Sequence, residues 1–180
     1  ESDERGFWEA VEDAPDTFEN AVTTPEDEAI IIYTSGTTGD PKGALHTHST
    51  LLGALASFTV RVLNAIEDPN DVLWSPVEWS WIGTLFGVLF PALCLGKPMV
   101  AYHSPKFDPN TALDLMSRHQ VTLAMFPPTA IRKMMKATDP TAHSFPQTRV
   151  IATGGEPVSD GLKDWVSDLF DGATVPEAYG

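Results

Sequence analysis

Along the 180 residues, short apolar runs alternate with longer stretches in which apolar residues recur at helical spacing. Ile30 to Tyr33 form a run of four apolar or aromatic residues, the pattern of a buried strand. Further strands are predicted at Asp71–Ser75, Pro98–Tyr102, Val121–Phe126, Arg149–Thr153 and Ala173–Ala178. A helix capped by Thr47 or Ser49 is expected to run to about Asn64, with Leu51, Leu52, Leu55 and Phe58 on its apolar stripe. Asp108-Pro109 places a capping residue before a proline at the first helical position, ahead of Ala112, Leu113, Leu115 and Met116. Pro127-Pro128-Thr129 opens another helix with Ile131, Met134 and Met135 on one face. Ser159 precedes Leu162, Trp165, Val166, Leu169 and Phe170, spaced i, i+3, i+4, i+7 and i+8. Ile82 to Leu95 is apolar nearly all round, which predicts a buried helix.

Strands that alternate with helices predict βαβ units. The fold class is therefore α/β, with a mainly parallel sheet covered by helices on both faces. Residues 1–28 read as a peripheral helix and linker, and residues 29–180 as one α/β region. Ligands of such sheets gather beyond the carboxyl ends of strands. Thr34–Gly43, Thr153–Pro157 and Tyr179-Gly180 occupy three such ends and are expected to converge on one rim.

The charge balance narrows the partners. With 25 acidic residues against 11 basic ones and a formal charge of −14, neither nucleic acid nor an anionic membrane is an expected partner. An anionic ligand has to be held by local donors. The acidity fits either a surface adapted to a salt-rich cytoplasm or an ordinary acidic cytosolic protein. Cys94 is the only cysteine, so no internal disulfide forms; a packing role within Leu93-Cys94-Leu95 and a reducing, cytoplasmic setting are expected. The apolar stretch Trp79–Leu95 is interrupted by Ser80, Gly83, Thr84, Gly87 and Pro91, and falls short of a membrane span. The acidic start of the chain is unlike a signal peptide.

The strongest chemistry follows the first strand. Thr34-Ser35-Gly36-Thr37-Thr38-Gly39-Asp40-Pro41-Lys42-Gly43 holds three glycines, four hydroxyls and a closing lysine. Glycines let backbone N–H groups approach phosphate oxygens, hydroxyls donate further bonds, and the lysine adds positive charge. It is not a Walker A loop, because Pro41 precedes Lys42 and Gly43 follows where a metal-binding hydroxyl belongs. His46 and His48, at i and i+2 with no third ligand, read as polar residues at a helix start rather than as a metal site.

Tyr33–Gly43, read YTSGTTGDPKG, resembles the signature loop of the adenylate-forming superfamily, which includes acyl-CoA synthetases, luciferases and adenylation domains. Gly154-Gly155-Glu156-Pro157 resembles that family's Gly-Glu-Pro element, and Glu177-Ala178-Tyr179-Gly180 the start of its next motif. Val77–Gly83 and Phe126–Arg132 are similar to segments beside the acyl pocket and the pantetheine tunnel of the acetyl- and medium-chain branch.

The resemblance implies ATP, CoA and Mg²⁺ as cofactors, a small carboxylic acid as substrate, and no particular oligomeric state. It implies that Thr34, Ser35, Gly36, Thr37, Thr38, Gly39 and Lys42 hold the ATP phosphates, with Lys42 catalytic as pyrophosphate departs. Gly155, Glu156 and Pro157 would lie along the adenine, flanked by Glu177, Ala178 and Tyr179. Trp81 and Gly180 would line the acyl pocket. Acetate-restricted members carry tryptophan at the position of Gly180, so a glycine there implies a larger acid. No metal ligand is assigned to this chain. The resemblance covers only the middle of the family's sequence, so the polypeptide is expected to be part of the large N-terminal domain and inactive by itself. Two rivals remain: an adenylation domain loading an amino or aryl acid onto a carrier protein, and a non-catalytic nucleotide-binding module.

Overall fold

The computed structural model describes residues 6–34, 39–58 and 68–178. It begins with a short helix, α1 (Phe7–Glu12), that buries no residue. Phe7 and Trp8 meet edge to face with ring centroids 5.0 Å apart, but both remain exposed.

Next come two antiparallel strands, β1 (Glu28–Thr34) and β2 (Lys42–Thr47), which form a sheet of their own. Their register pairs Ile30 with His46, Ile32 with Ala44 and Thr34 with Lys42. This corrects the sequence expectation in two ways. A second strand occupies Lys42–Thr47, where loop and helix start were expected, and the first strand does not join the parallel sheet. Gly43-Ala44-Leu45 has too little alternating amphipathicity to announce a strand, and pairing with the Ile-rich β1 supplies what local pattern lacks. Helix α2 (His48–Ala56) follows directly, with Thr47 at its cap position.

The remaining strands are β3 (Leu73–Trp74), β4 (Leu123–Met125), β5 (Val150–Gly154) and β6 (Glu177–Ala178). They lie in that order, all parallel. The connection from β3 runs through α3 (Ile82–Thr84), a π-helical turn (Leu85–Leu89) and α4 (Phe90–Leu95), which ends on Gly96 in a left-handed cap. It returns to Met99, which bridges Leu73 in parallel. Leu73 also pairs with Leu123, so Met99 lies on the other side of β3 from β4. The chain then crosses by α5 (Pro109–Arg118) to β4, by α6 (Pro128–Met134) to β5, and by α7 (Asp160–Leu169) to β6. A connection that leaves β3 toward Met99 and the next that returns toward β4 run in opposite directions, and crossovers of one hand then fall on opposite faces.

Side-chain alternation along the strands confirms the two faces. Trp74, Ala124 and Ile151 pack with Leu113, Ile131 and Val166 of α5, α6 and α7. Leu73, Leu123, Met125, Val150 and Ala152 instead pack with Val88 and Ala92 of the π turn and α4. The fold is thus a mainly parallel α/β sheet with helices on both faces. Helix α5 starts where expected, since the Asp108 carboxylate accepts from the Thr111 N–H at 2.8 Å and from its hydroxyl at 2.6 Å. Those bonds, the Thr111 hydroxyl foremost, hold the Asp108 carboxyl below its ordinary range. Cys94 does not pack inside as expected. It faces outward on α4, beside the exposed Leu93, because only one side of that helix meets the sheet. Among the described residues no helix is long and apolar enough to cross a membrane.

Candidate functional site

The carboxyl rim of the sheet is shaped by close backbone approach. Thr153 pairs with Glu177 and Gly154 with Ala178. A Cβ on Gly154 would stand 2.5 Å from the Ala178 carbonyl oxygen, so this crossing of β5 and β6 admits only glycine. The next residue, Gly155, turns the chain out of the sheet at φ +85°, a conformation that side chains disfavour. Glu156 and Pro157 follow, both exposed.

Across the rim, the Trp81 carbonyl accepts the N–H groups of Thr84 and Leu85, and its indole folds back over the first turn of α3. A Cβ on Gly83 would lie 2.5 Å from the indole's Cη2 and Cζ3, so Gly83 provides the bed on which the ring rests. Between these walls lies a cavity of about 310 Å³. Trp81, Gly83 and Phe86 line it from one side, and Met125, Gly154 and Ala178 from the strand ends. His46 of β2 and Thr50 of α2 close it from the hairpin, with the His46 ring 5.9 Å from that of Phe86. The lining is largely apolar and suits an uncharged carbon skeleton better than a phosphate chain.

Trp81, Gly155 and Ala178 are thus brought to one cavity. Thr34 and Lys42 face each other across the base of the hairpin, both exposed, and Lys42 has no ion-pair or hydrogen-bond partner among the described residues. Gly39 adopts φ +106° between them. Ser35, Gly36, Thr37, Thr38, Tyr179 and Gly180 lie outside the described residues. The strand that leads into the loop belongs to the hairpin sheet and not to the parallel one, while Gly154 and Ala178 at the ends of β5 and β6 lie side by side. Sequence reasoning did not find His46, Thr50, Phe86 or Met125 as lining residues. Met125 in particular sits in an apolar strand whose cavity-facing side is defined only by its neighbours.

Two carboxylates stand at this rim. Glu156 receives the Arg132 guanidinium of α6 at 2.9 Å, and the same guanidinium donates to the Pro157 carbonyl at 3.3 Å. Glu177 receives the Lys163 ammonium of α7 at 2.5 Å. That hydrogen bond raises the Lys163 amine above its ordinary range, against a smaller opposing effect of burial. Among the described residues no group of three His, Cys, Asp or Glu gathers to hold a metal ion.

The family described as AMP-binding enzyme matches residues 1–180, and the chain belongs to it. An acetyl-coenzyme A synthetase of Methanothrix thermoacetophila is 32% identical over 178 residues, covering 96% of this chain and 27% of the relative. The chain therefore spans about a quarter of the length of such curated relatives. The anthranilate CoA ligase AuaEII, solved with anthranoyl-AMP, superposes with a TM-score of 0.86 at 21% identity, over 97% of this chain and 33% of that one. The inhibitor-bound N-terminal domain of FACL13 from Mycobacterium tuberculosis gives 0.81 at 22% identity, over 96% and 42%. Both likenesses show the fold, which this chain shares with part of the AuaEII ligase and of the N-terminal domain of FACL13.

Proposed function

We propose that the chain supplies the nucleotide- and acyl-binding walls of an AMP-forming acyl-CoA synthetase whose acid is larger than acetate. The observation that carries this reading is the apolar cavity of about 310 Å³ beside the carboxyl ends of β5 and β6, many times the space an acetyl methyl needs. Gly180, in place of a wall-forming tryptophan, supports the same direction. The curated relatives are named for acetyl-CoA, so acid size is where this protein is proposed to part from them.

In the reaction, a carboxylate oxygen of the acid bonds to the α-phosphorus of ATP, and the bond to the β-phosphate bridging oxygen breaks. Pyrophosphate leaves and an acyl-adenylate remains. The CoA sulfur then bonds to the acyl carbon, AMP leaves with the former carboxylate oxygen, and the thiol proton is released. Thr34 to Gly39 hold the β- and γ-phosphates through N–H and hydroxyl donors, and Lys42 offsets the charge that develops as pyrophosphate departs. Gly155, Glu156 and Pro157, with Glu177, Ala178 and Tyr179, border the base; Trp81 and Gly180 border the acyl chain. Mg²⁺, when bound, supplies charge neutralisation on the phosphates.

The aromatic lining by Trp81 and Phe86 favours a second reading, an aryl acid. One experiment separates the two. The full-length protein carrying this segment is assayed for AMP release with acids from acetate to decanoate, and with benzoate. Medium-chain acids are expected to give the highest kcat/KM; benzoate as the best substrate selects the second reading, and acetate as the best overturns both. In the same assay Lys42→Ala should cost roughly hundredfold in turnover without lowering the unfolding midpoint. Equal losses of turnover and stability would reduce the lysine to a turn residue.

A further inference from the structure

A protein of charge −14 that binds a polyanion gains nothing from free carboxylates at the binding rim. Yet Glu156 and Glu177 both stand there, and the fold treats them alike. Residues of β5 alternate between faces: Ile151 packs with α5, α6 and α7, whereas Ala152 packs on the side of the cavity. Thr153 therefore faces the helices, and Glu177, its parallel partner, faces the same way toward Lys163. Gly154 and Ala178, one residue on, line the cavity. Glu156, beyond the strand end, is drawn to α6 by Arg132, which also grips the Pro157 carbonyl. Two of only eleven basic residues are committed to these carboxylates, each from a helix on the face away from the cavity.

We propose that Arg132 and Lys163 are positioning residues for the nucleotide: they neutralise Glu156 and Glu177, and hold the Gly155–Pro157 turn and the end of β6, which border the base. This rests on the nucleotide reading given above. All four side chains are between about one third and one half exposed, where an ion pair contributes little to folding. Their effect on a nearby anion is larger. One unneutralised carboxylate a Debye length, about 8 Å, from an anion weakens its binding roughly 2- to 30-fold, depending on the effective dielectric. The inference therefore separates two quantities that a structural role would move together or in the opposite order: nucleotide affinity changes while stability hardly does.

The test uses the full-length protein, with ATP affinity measured by titration calorimetry alongside kcat, KM for ATP and the thermal midpoint. Arg132→Met and Lys163→Met are each expected to raise the Kd and KM for ATP about fivefold, with kcat and the midpoint nearly unchanged. The effect should shrink at high salt, where the repulsion is screened. Arg132→Lys, which keeps the charge but loses the fork that reaches Pro157, should fall between. Adding Glu156→Gln to Arg132→Met, or Glu177→Gln to Lys163→Met, should recover most of the lost affinity. Variants that bind ATP like the unaltered protein overturn the inference, as does a loss that the partner substitution fails to rescue. If the unaltered protein itself does not bind ATP, the nucleotide reading falls and this inference with it; if it binds and the variants are indifferent, only the inference falls.

Discussion

The amino and carboxyl rims of the parallel sheet handle charge in opposite ways. At the amino rim, Asp71, Thr122 and Arg149 lie just before β3, β4 and β5. Asp71 is fully buried and accepts from the Thr122 hydroxyl at 2.8 Å and from the Arg149 guanidinium at 2.7 and 3.3 Å. Lys97, almost as buried, approaches it at 3.5 Å and also donates to the Asp68 carbonyl. At the carboxyl rim the carboxylates of Glu156 and Glu177 are half exposed and engaged by helices, while glycines and apolar groups frame the cavity. The contrast follows from the chemistry. A buried ionic network needs every group satisfied, whereas a binding rim needs groups that can be left without a permanent partner.

The largest effect is expected from breaking the amino rim. Asp71→Asn removes the charge that Arg149 and the buried Lys97 share, and should lower unfolding stability by about 3–5 kcal/mol, read from urea denaturation. ATP affinity measured well below the denaturation midpoint should be unaffected. A smaller destabilisation with lost ATP binding would erase the distinction between the rims.

Gly154→Ala probes the carboxyl rim. The added methyl meets the Ala178 carbonyl, so β5 and β6 must part. The expected cost is about 1–3 kcal/mol, and ATP binding should fall by more than that loss of stability explains. Unchanged affinity would place the nucleotide elsewhere.

The smallest effect concerns pH. Asp108 caps α5, and its folded carboxyl titrates below its ordinary value because Thr111 donates two hydrogen bonds to it. A depressed carboxyl stabilises the fold above its unfolded pKa, and that contribution disappears as pH falls through the folded value. Asp108→Asn should therefore flatten the acid limb of the stability curve slightly. Lys163 carries the opposite sign: its raised amine favours the fold below the ordinary lysine range, and the contribution is lost as pH rises through the higher folded value. A steeper acid limb in the Asp108 variant would contradict the capping account.

Much of this was legible in the chain. Asp108-Pro109 and the i, i+3, i+4 spacing of α5 and α7 are local signals, and both helices form where they point. The Gly-Thr-rich loop and Gly154–Pro157 announced their family without any structure, because their composition serves backbone approach more than packing. Other features were not legible, for physical reasons. Strand β2 is specified by the partner that β1 offers rather than by its own residues. The strand expected at Pro98–Tyr102 is reduced to the bridge at Met99, where it meets the short β3. Helix α4 looked buried all round, but a helix packed on one face of a sheet leaves Leu93 and Cys94 in solvent.

By itself, then, the sequence determined the βα alternation, the capped helices and the adenylate-forming motifs, all of which rest on residues close in the chain. Only the tertiary structure decided that Glu177 and Ala178 point to opposite faces, that Trp81 lies on Gly83, and that Asp71 meets Arg149 across 78 positions. Those outcomes depend on strand register and on which helix covers which face. Register and coverage are set by contacts between distant segments, so no local pattern encodes them.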